Sequence, residues 1–271
     1  MSKISRIAPM LLGFALALGC GKGEEKPAQP TPAPTGETPT PNPSPTGTAP
    51  TEAAAGKPGT ATITGKITFE GAAPKMAPVN RASDPFCAKT KKDAQDVVVT
   101  GGAVKDVLVR LPVGAAKGPA PTEAAAIDQH ECMYVPHVQG VVSGQSIKVT
   151  NSDGTTHNVH SYVGDETKFN EAQPKGSAPV EKPVEAEAGE VMKVKCDVHA
   201  WMESYVVVTD HPYFAVTGDD GSFKIEKVPA GTFKLEAWHP KMGVKTVEVK
   251  VEDGATVEAK FPAFTAADVK K

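Results

Sequence analysis

The stretch Lys195-Cys196-Asp197-Val198-His199-Ala200-Trp201-Met202 puts a thiolate, an imidazole and a thioether into one short loop. Upstream, Glu190-Val191-Met192-Lys193-Val194-Lys195 alternates polar and apolar residues and predicts a strand ending at Cys196; downstream, Ser204 to Thr209 predicts another. A tight turn between two strands would return His199 and Met202 to the side on which Cys196 leaves. About forty residues earlier, Asn151-Ser152-Asp153-Gly154-Thr155-Thr156-His157-Asn158-Val159-His160 supplies a second imidazole at His157. Two His, a Cys and a weak Met are the donor set of a mononuclear copper centre of the electron-transfer kind, with His157, Cys196 and His199 in a plane and Met202 long and axial. Zinc accepts the same Cys and His but gains nothing from the Met. With no metal at all, Cys196 and Met202 would be buried apolar side chains and the two histidines surface polar groups.

Across 271 residues, Lys and Arg number 29 and Asp and Glu 32, a formal charge of −3 with a pI near 6.2. No basic field for nucleic acid results, and that class of partner is excluded. Gly and Pro are each at 25, and short Val- and Thr-containing runs alternate with turn residues, the composition of all-β domains with an unstructured segment.

At the N-terminus, Lys3 and Arg6 flank an apolar run from Ile7 to Leu18, too short to span a bilayer as a helix; residues 1–20 read as a secretory signal. The end of that signal, Ala17-Leu18-Gly19-Cys20, resembles the lipobox of bacterial lipoproteins. The resemblance implies lipidation of Cys20 and a place in the bacterial cell envelope, anchored to the membrane at a periplasmic or outer-membrane face. Each buried acyl methylene would add about 0.8 kcal/mol to that anchoring. The plainer alternative is an ordinary signal peptide with a stray cysteine. Residues 21–60 are Pro, Thr, Ala, Gly and Glu with almost no large apolar side chain, so they cannot offset their ordering entropy. They are expected to form a disordered tether reaching between about 35 Å as a coil and about 120 Å as polyproline II.

Folded sequence starts near Thr60. A first group of strands is predicted at Thr62–Phe69, Asp96–Val99 and Lys105–Leu111, with a loop carrying Cys87 between the first two. A second begins at Ile127 and includes Met133–Val138, Ser146–Asn151, the His157 segment, a polar excursion from Gly164 to Pro183, and the two strands around the Cys196 loop. A third follows the turn signal Gly218-Asp219-Asp220-Gly221; its last two strands, Val244–Val251 and Ala255–Phe261, are expected to close a hairpin across Glu252-Asp253-Gly254.

In order and spacing, Met133-x-x-Pro136, the Gly144 turn, the strand into Asn151, His157-Asn158-Val159 and Cys196-x-x-His199-x-x-Met202 resemble the cupredoxins, amicyanin and plastocyanin above all. That resemblance covers about Ile127 to Asp210 and implies copper as cofactor, ligands His157, Cys196, His199 and Met202, and an Asn158 that ties the two ligand loops together. This loop departs from the family at Asp197 and Val198, where small or Pro residues are usual, so Asp197 is the neighbour expected to alter the centre. Thr217-Gly-Asp-Asp-Gly-Ser-Phe223 with Val228-Pro-Ala-Gly-Thr-Phe233 resembles the carboxypeptidase regulatory-like β-sandwich, and Ile63 to Phe69 resembles its first strand. The expectation is therefore one such sandwich in two halves, 61–114 and 213–264, with a cupredoxin-like domain over 115–212 inserted between them. The competing arrangement, three small units in a row, leaves the first with too few large apolar groups for a core. Related sandwiches often bind carbohydrate, but no aromatic platform supports that partner here.

With Cys20 assigned to lipid and Cys196 to metal, Cys87 and Cys132 remain, and in an oxidising compartment they are expected to pair. A loop of that size would stabilise by about 4 kcal/mol in the chain-entropy account. The alternative is a second metal site from His130, Cys132 and His137, disfavoured because adjacent strand positions face opposite ways. His160, His211 and His239 read as structural, and Trp201 either as core or as a docking patch. The chain is thus expected to be no enzyme but a carrier of single electrons with a redox partner in the envelope. The alternatives are copper storage or delivery, with a copper donor or acceptor as partner, or an envelope interaction module with a degenerate site.

Overall fold

The computed structural model describes residues 59–270. The expected signal, Cys20 and nearly all of the tether lie outside them. The protein is all-β; among the described residues helix occurs only as two three-residue 3-10 turns, Cys87–Lys89 and Ala266–Asp268. No helix of these residues is long and apolar enough to cross a membrane.

The first strands are β1 (Ala61–Lys66), β2 (Phe69–Glu70), β3 (Val99–Thr100), β4 (Ala103–Val104) and β5 (Leu108–Arg110). A middle group follows: β6 (Ala125–His130), β7 (Met133–Val135), β8 (Val138–Val142), β9 (Ser146–Asn151), β10 (His157–Val163), β11 (Glu166–Gln173), β12 (Val180–Pro183), β13 (Val191–Lys195) and β14 (Glu203–Thr209). The last are β15 (Phe214–Val216), β16 (Ser222–Val228), β17 (Gly231–His239), β18 (Gly243–Val251), β19 (Thr256–Ala259) and β20 (Phe264–Thr265).

Strands from the two ends of the chain share sheets. β1 lies between β16, antiparallel, and β19, parallel, so Ile63 faces Ile225 on one side and Val257 on the other. β5 lies between β15 and β17, with Val109 opposite both Ala215 and Ala237. Period-two alternation sets which side chains turn inward: Ala61 and Ile63 from β1, Phe233, Leu235 and Ala237 from β17, and Val249 and Val251 from β18 fill one core between these two sheets. The middle group forms its own pair of sheets, in the orders β11-β10-β13-β14-β8 and β12-β9-β6-β7. Their core contains Ile127, Tyr134, Ile147, Val149, Val159, Val194, Val206 and Val208.

β14 shows how the two sandwiches meet. Its sequence, Glu-Ser-Tyr-Val-Val-Val-Thr, is apolar without alternation, and Ser204 to Thr209 are all buried. Val206 and Val208 face the middle core, while Tyr205 and Val207 face a third cluster with Leu108, Val138, Phe214 and Trp238. A strand covered on both faces has no polar side to present. The contact is close at Gly140, where an added Cβ would lie 2.5 Å from the Phe214 ring.

Two sequence expectations change. The stretch Gly164–Pro183, read as a polar excursion, contains β11 and β12; β11 pairs with β10 from His157 opposite Gln173 to Val163 opposite Glu166. β11 is an edge strand half or fully exposed along nearly all its length, so neither face carries the apolar alternation that would announce it. The second concerns the expected hairpin of the last two long strands. β18 pairs with β17, whereas β19 crosses to the other sheet and pairs with β1. The turn residues Glu252-Asp253-Gly254 bridge sheets there, and Asp253 accepts a hydrogen bond from Thr60 Oγ1 at 2.7 Å. Turn chemistry fixes the reversal of the chain but not which neighbour it finds.

Candidate metal centre

His157 opens β10, Cys196 follows β13, and His199 and Met202 lie in the turn before β14. The turn is closed by Met202 N–H to the His199 carbonyl at 2.9 Å and Cys196 N–H to the Met202 carbonyl at 3.3 Å. Tyr134, fully buried, places its hydroxyl 2.5 Å from the Asn158 carbonyl and 3.1 Å from that of Lys195, joining the ends of the two ligand-bearing strands. Asn158 adds a clamp: its Oδ1 accepts from Asp197 N–H at 2.6 Å and its Nδ2 donates to Asp197 Oδ2 at 2.9 Å.

The donor atoms converge. His157 Nδ1 and His199 Nδ1 are 2.9 Å apart, Cys196 Sγ is 3.8 Å from His199 Nδ1, and all three residues are at most 2 % exposed. Met202 is wholly buried in the same core. The far nitrogen of each histidine meets a carboxylate: His157 Nε2 donates to Asp153 at 2.9 Å and His199 Nε2 to Asp84 at 3.1 Å. A carboxylate accepts only, so both Nε2 atoms carry hydrogen and both Nδ1 lone pairs turn toward Cys196. Two lone pairs facing one another at 2.9 Å beside a thiolate require a cation or a proton between them. This arrangement fits a metal ion, and the carboxylate behind each imidazole is the usual support of a metal-bound histidine.

Protonation follows the same geometry. Burial alone would push the His157 imidazole down, but its bonds to Asp153 and the Cys196 thiolate hold it up at about 9. Burial and the charge of His157 lower His199. Burial would raise the Cys196 thiol; hydrogen bonds from His157 and from the N–H groups of Asn158, His199 and Val198 more than reverse that. Asp84 is lowered to about 2, burial being outweighed by bonds from Thr155, the N–H groups of Cys87 and Phe86, and His199.

Asp197, expected to act on the centre, turns its side chain outward and pairs with His160 at 3.0 Å. Trp201 is half-buried, its Nε1 donating to the Cys132 carbonyl at 2.9 Å and its ring 5.0 Å from that of His199. Cys87 and Cys132 are joined by a disulfide with an S–S distance of 2.01 Å. That removes Cys132 from any set with His130, which is exposed, and His137, whose Nδ1 bonds the Glu203 carbonyl at 3.1 Å. Sequence reasoning missed Asp84 and Asp153. Asp153 reads as part of an Asn-Ser-Asp-Gly turn, and its spacing of four from His157 is the only hint; Asp84 is distant in sequence and carries none.

Asp153 has a further role. Glu131 and Cys132, the two-residue turn between β6 and β7, both have positive φ, 52° and 55°. Asp153 accepts from both of their N–H groups at 2.7 Å. One carboxylate thereby steadies a left-handed turn and orients His157.

In comparison with known proteins, residues 197–269 match the family model described as ER membrane protein complex subunit 7, beta-sandwich domain. No curated protein matches the sequence. Similar solved structures include a purple cupredoxin from Nitrosopumilus maritimus, 25% identical, covering 31% of this chain and 99% of its own with a TM-score of 0.28. Amicyanin from Paracoccus versutus is 21% identical and covers 32% of this chain and 83% of its own, also at 0.28.

Proposed function

We propose that the chain is a mononuclear copper protein that carries single electrons, with His157 Nδ1, His199 Nδ1 and Cys196 Sγ as ligands and Met202 as the weak fourth. The observation that carries this reading is the pair of facing Nδ1 atoms beside a buried thiol, each imidazole backed by a carboxylate. Copper bound there would supply a one-electron couple through its bond to the thiolate. The chain's own part is to hold that ground fixed. Asp153 and Asp84 set both tautomers, Tyr134 and Asn158 lock the two ligand loops, and burial of all four donors keeps water out. A rigid, dry site needs little rearrangement when the charge of its occupant changes.

A second reading, storage or delivery of Cu(I), is favoured by one feature. The outer edge of His199 is covered by Asp84 and by Cys87, whose Sγ is 3.7 Å from Nε2, leaving the residue 1 % exposed. Neither reading makes the chain an enzyme. The visible spectrum of the copper-loaded, oxidised protein separates them. An intense thiolate-to-copper band that bleaches reversibly on reduction, and is lost in Cys196→Ser, supports the carrier. Cu(I) uptake without such a band supports storage, and the same colour in Cys196→Ser refutes the ligand assignment.

The lipobox-like sequence at Cys20 supports a lipid-anchored position on the bacterial envelope, at a periplasmic or outer-membrane face, with a redox partner or copper donor there. Cys20→Ser should move it from the membrane to the soluble fraction, and continued membrane association would end that part of the proposal.

A further inference from the structure

The disulfide Cys87–Cys132 lies against the same histidines and has the surroundings of a metal site. Asp84, Cys87 and His199 bring ligand atoms within 4.8 Å of one another, and so do Cys132, Asp153 and His157. Both cysteines are buried, yet both line a cavity of about 230 Å³ together with Phe86, Lys89 and His130, of which Lys89 and His130 are exposed. Arg81 lines the same cavity. It is 4 % exposed; its terminal nitrogens are bound by Thr90 and the Glu131 carbonyl, but its Nε has no acceptor among the described residues. This buried guanidinium already stands in the field of Asp153, Glu131 and Asp84, yet one of its N–H groups is left without an acceptor in a cavity that both cysteines also line. Reduction of the disulfide would add thiolate acceptors to that cavity.

We propose that Cys87 and Cys132 form a second, redox-gated metal site, which takes Cu(I) between two thiolates once the disulfide is reduced. The two electrons come from an external dithiol, which becomes a disulfide, while its two protons pass to Cys87 and Cys132. Binding of Cu(I) then releases those two protons to solvent. Thiolates favour soft metals such as Cu(I) and zinc, and a site with only two of them lacks the four ligands that zinc usually takes. The resulting bis-thiolate carries a net negative charge in the cavity that Arg81 also lines, and His199 Nε2–H, which donates to Asp84 at 3.1 Å, lies 3.7 Å from Cys87 Sγ and can be shared with it. Fixed anchors keep the two cysteines in place without their covalent bond. Asp84 accepts from the N–H groups of Phe86 and Cys87 at 2.7 and 3.1 Å, and Asp153 from those of Glu131 and Cys132 at 2.7 Å. The site stands whether or not the inner centre carries electrons, because its two ligands are not shared with it.

The test uses the full chain with Cys20→Ser, so that three cysteines remain. Thiols are counted and Cu(I) uptake is titrated against a chromogenic Cu(I) chelator, before and after anaerobic treatment with a dithiol and its removal. The proposal expects one thiol and one Cu(I) for the oxidised chain, then three thiols and two Cu(I), with the near-ultraviolet circular dichroism of a folded protein retained. Adding Cys196→Ser should give no Cu(I) when oxidised and one when reduced. Arg81→Gln should weaken the second equivalent at least tenfold; an unchanged second affinity would leave a bare dithiol and overturn the built site. A reduced chain that still takes only one Cu(I), that keeps one thiol, or that unfolds on reduction also overturns it. If the oxidised chain takes none and the reduced chain one, the inner reading fails and this one stands.

Discussion

Two pairs of buried histidines differ in what lies behind the ring. His157 and His199 each donate Nε2–H to a carboxylate, which turns both Nδ1 lone pairs inward beside Cys196. His137 and His239 are as deeply placed, at 8 % and 1 % exposed, but their Nε2 atoms have no partner among the described residues. Their Nδ1 atoms serve the backbone, at the Glu203 carbonyl and the Lys241 N–H. Burial followed by the charges of His137 and Lys241 brings His239 down to about 3. Burial likewise lowers His137, against the pull of Asp106. Similar burial thus gives imidazoles whose Nδ1 atoms are aimed at a common point in one place and packing groups in the other. The deciding element is the carboxylate.

The sharpest way to break this contrast is to remove one histidine from each pair. His157→Ala should abolish copper binding, whereas His137→Ala should leave the affinity within twofold; equal losses in a competition titration would erase the distinction. Next in size are the carboxylates. Asp84→Asn should weaken the metal about 10–100-fold, the usual cost of losing the partner behind a metal-bound histidine, and an unchanged affinity would show that the tautomer is set by something else.

A third prediction concerns acid. Because folded His239 stays neutral down to about 3 while the unfolded chain takes up a proton below 6.5, stability falls as pH drops through that window. The slope is about 1.4 kcal/mol per pH unit for one such group. His239→Asn, which keeps an acceptor for the Lys241 N–H, should flatten the melting temperature between pH 6 and pH 4 as measured by calorimetry; an unaltered slope would contradict it. Asp84 acts lower on the scale: its stabilisation is whole above 3.8 and is lost as pH falls through about 2. The smallest effect should come from Trp201→Phe, which deletes the bond to the Cys132 carbonyl and should cost about 1 kcal/mol in denaturant unfolding. A cost above 3 kcal/mol would show that Trp201 supports the ligand loop by more than this bond.

Much of the candidate centre is local in the chain, and that made it legible. Cys196, His199 and Met202 fall within one turn, and His157 is marked by the Asn158-Val159 that follows it. The edge strand β11 escaped notice because a strand with two wet faces has no hydrophobic period. β19 was read as a strand but given the wrong neighbour, since alternation shows that a segment pairs and is silent about which partner it takes. Asp84, 115 positions from His199, reaches it only through folding of the Cys87 loop.

By itself, the sequence determined the all-β class, the positions of most long strands and the donors that leave β13 together, because periodicity and short-range spacing are properties of the chain alone. The tertiary structure decided which strands share a sheet, which carboxylate stands behind each imidazole and that the His199 edge is covered. Those are contacts between distant residues. They are set by which surfaces bury one another, and no local pattern encodes that choice.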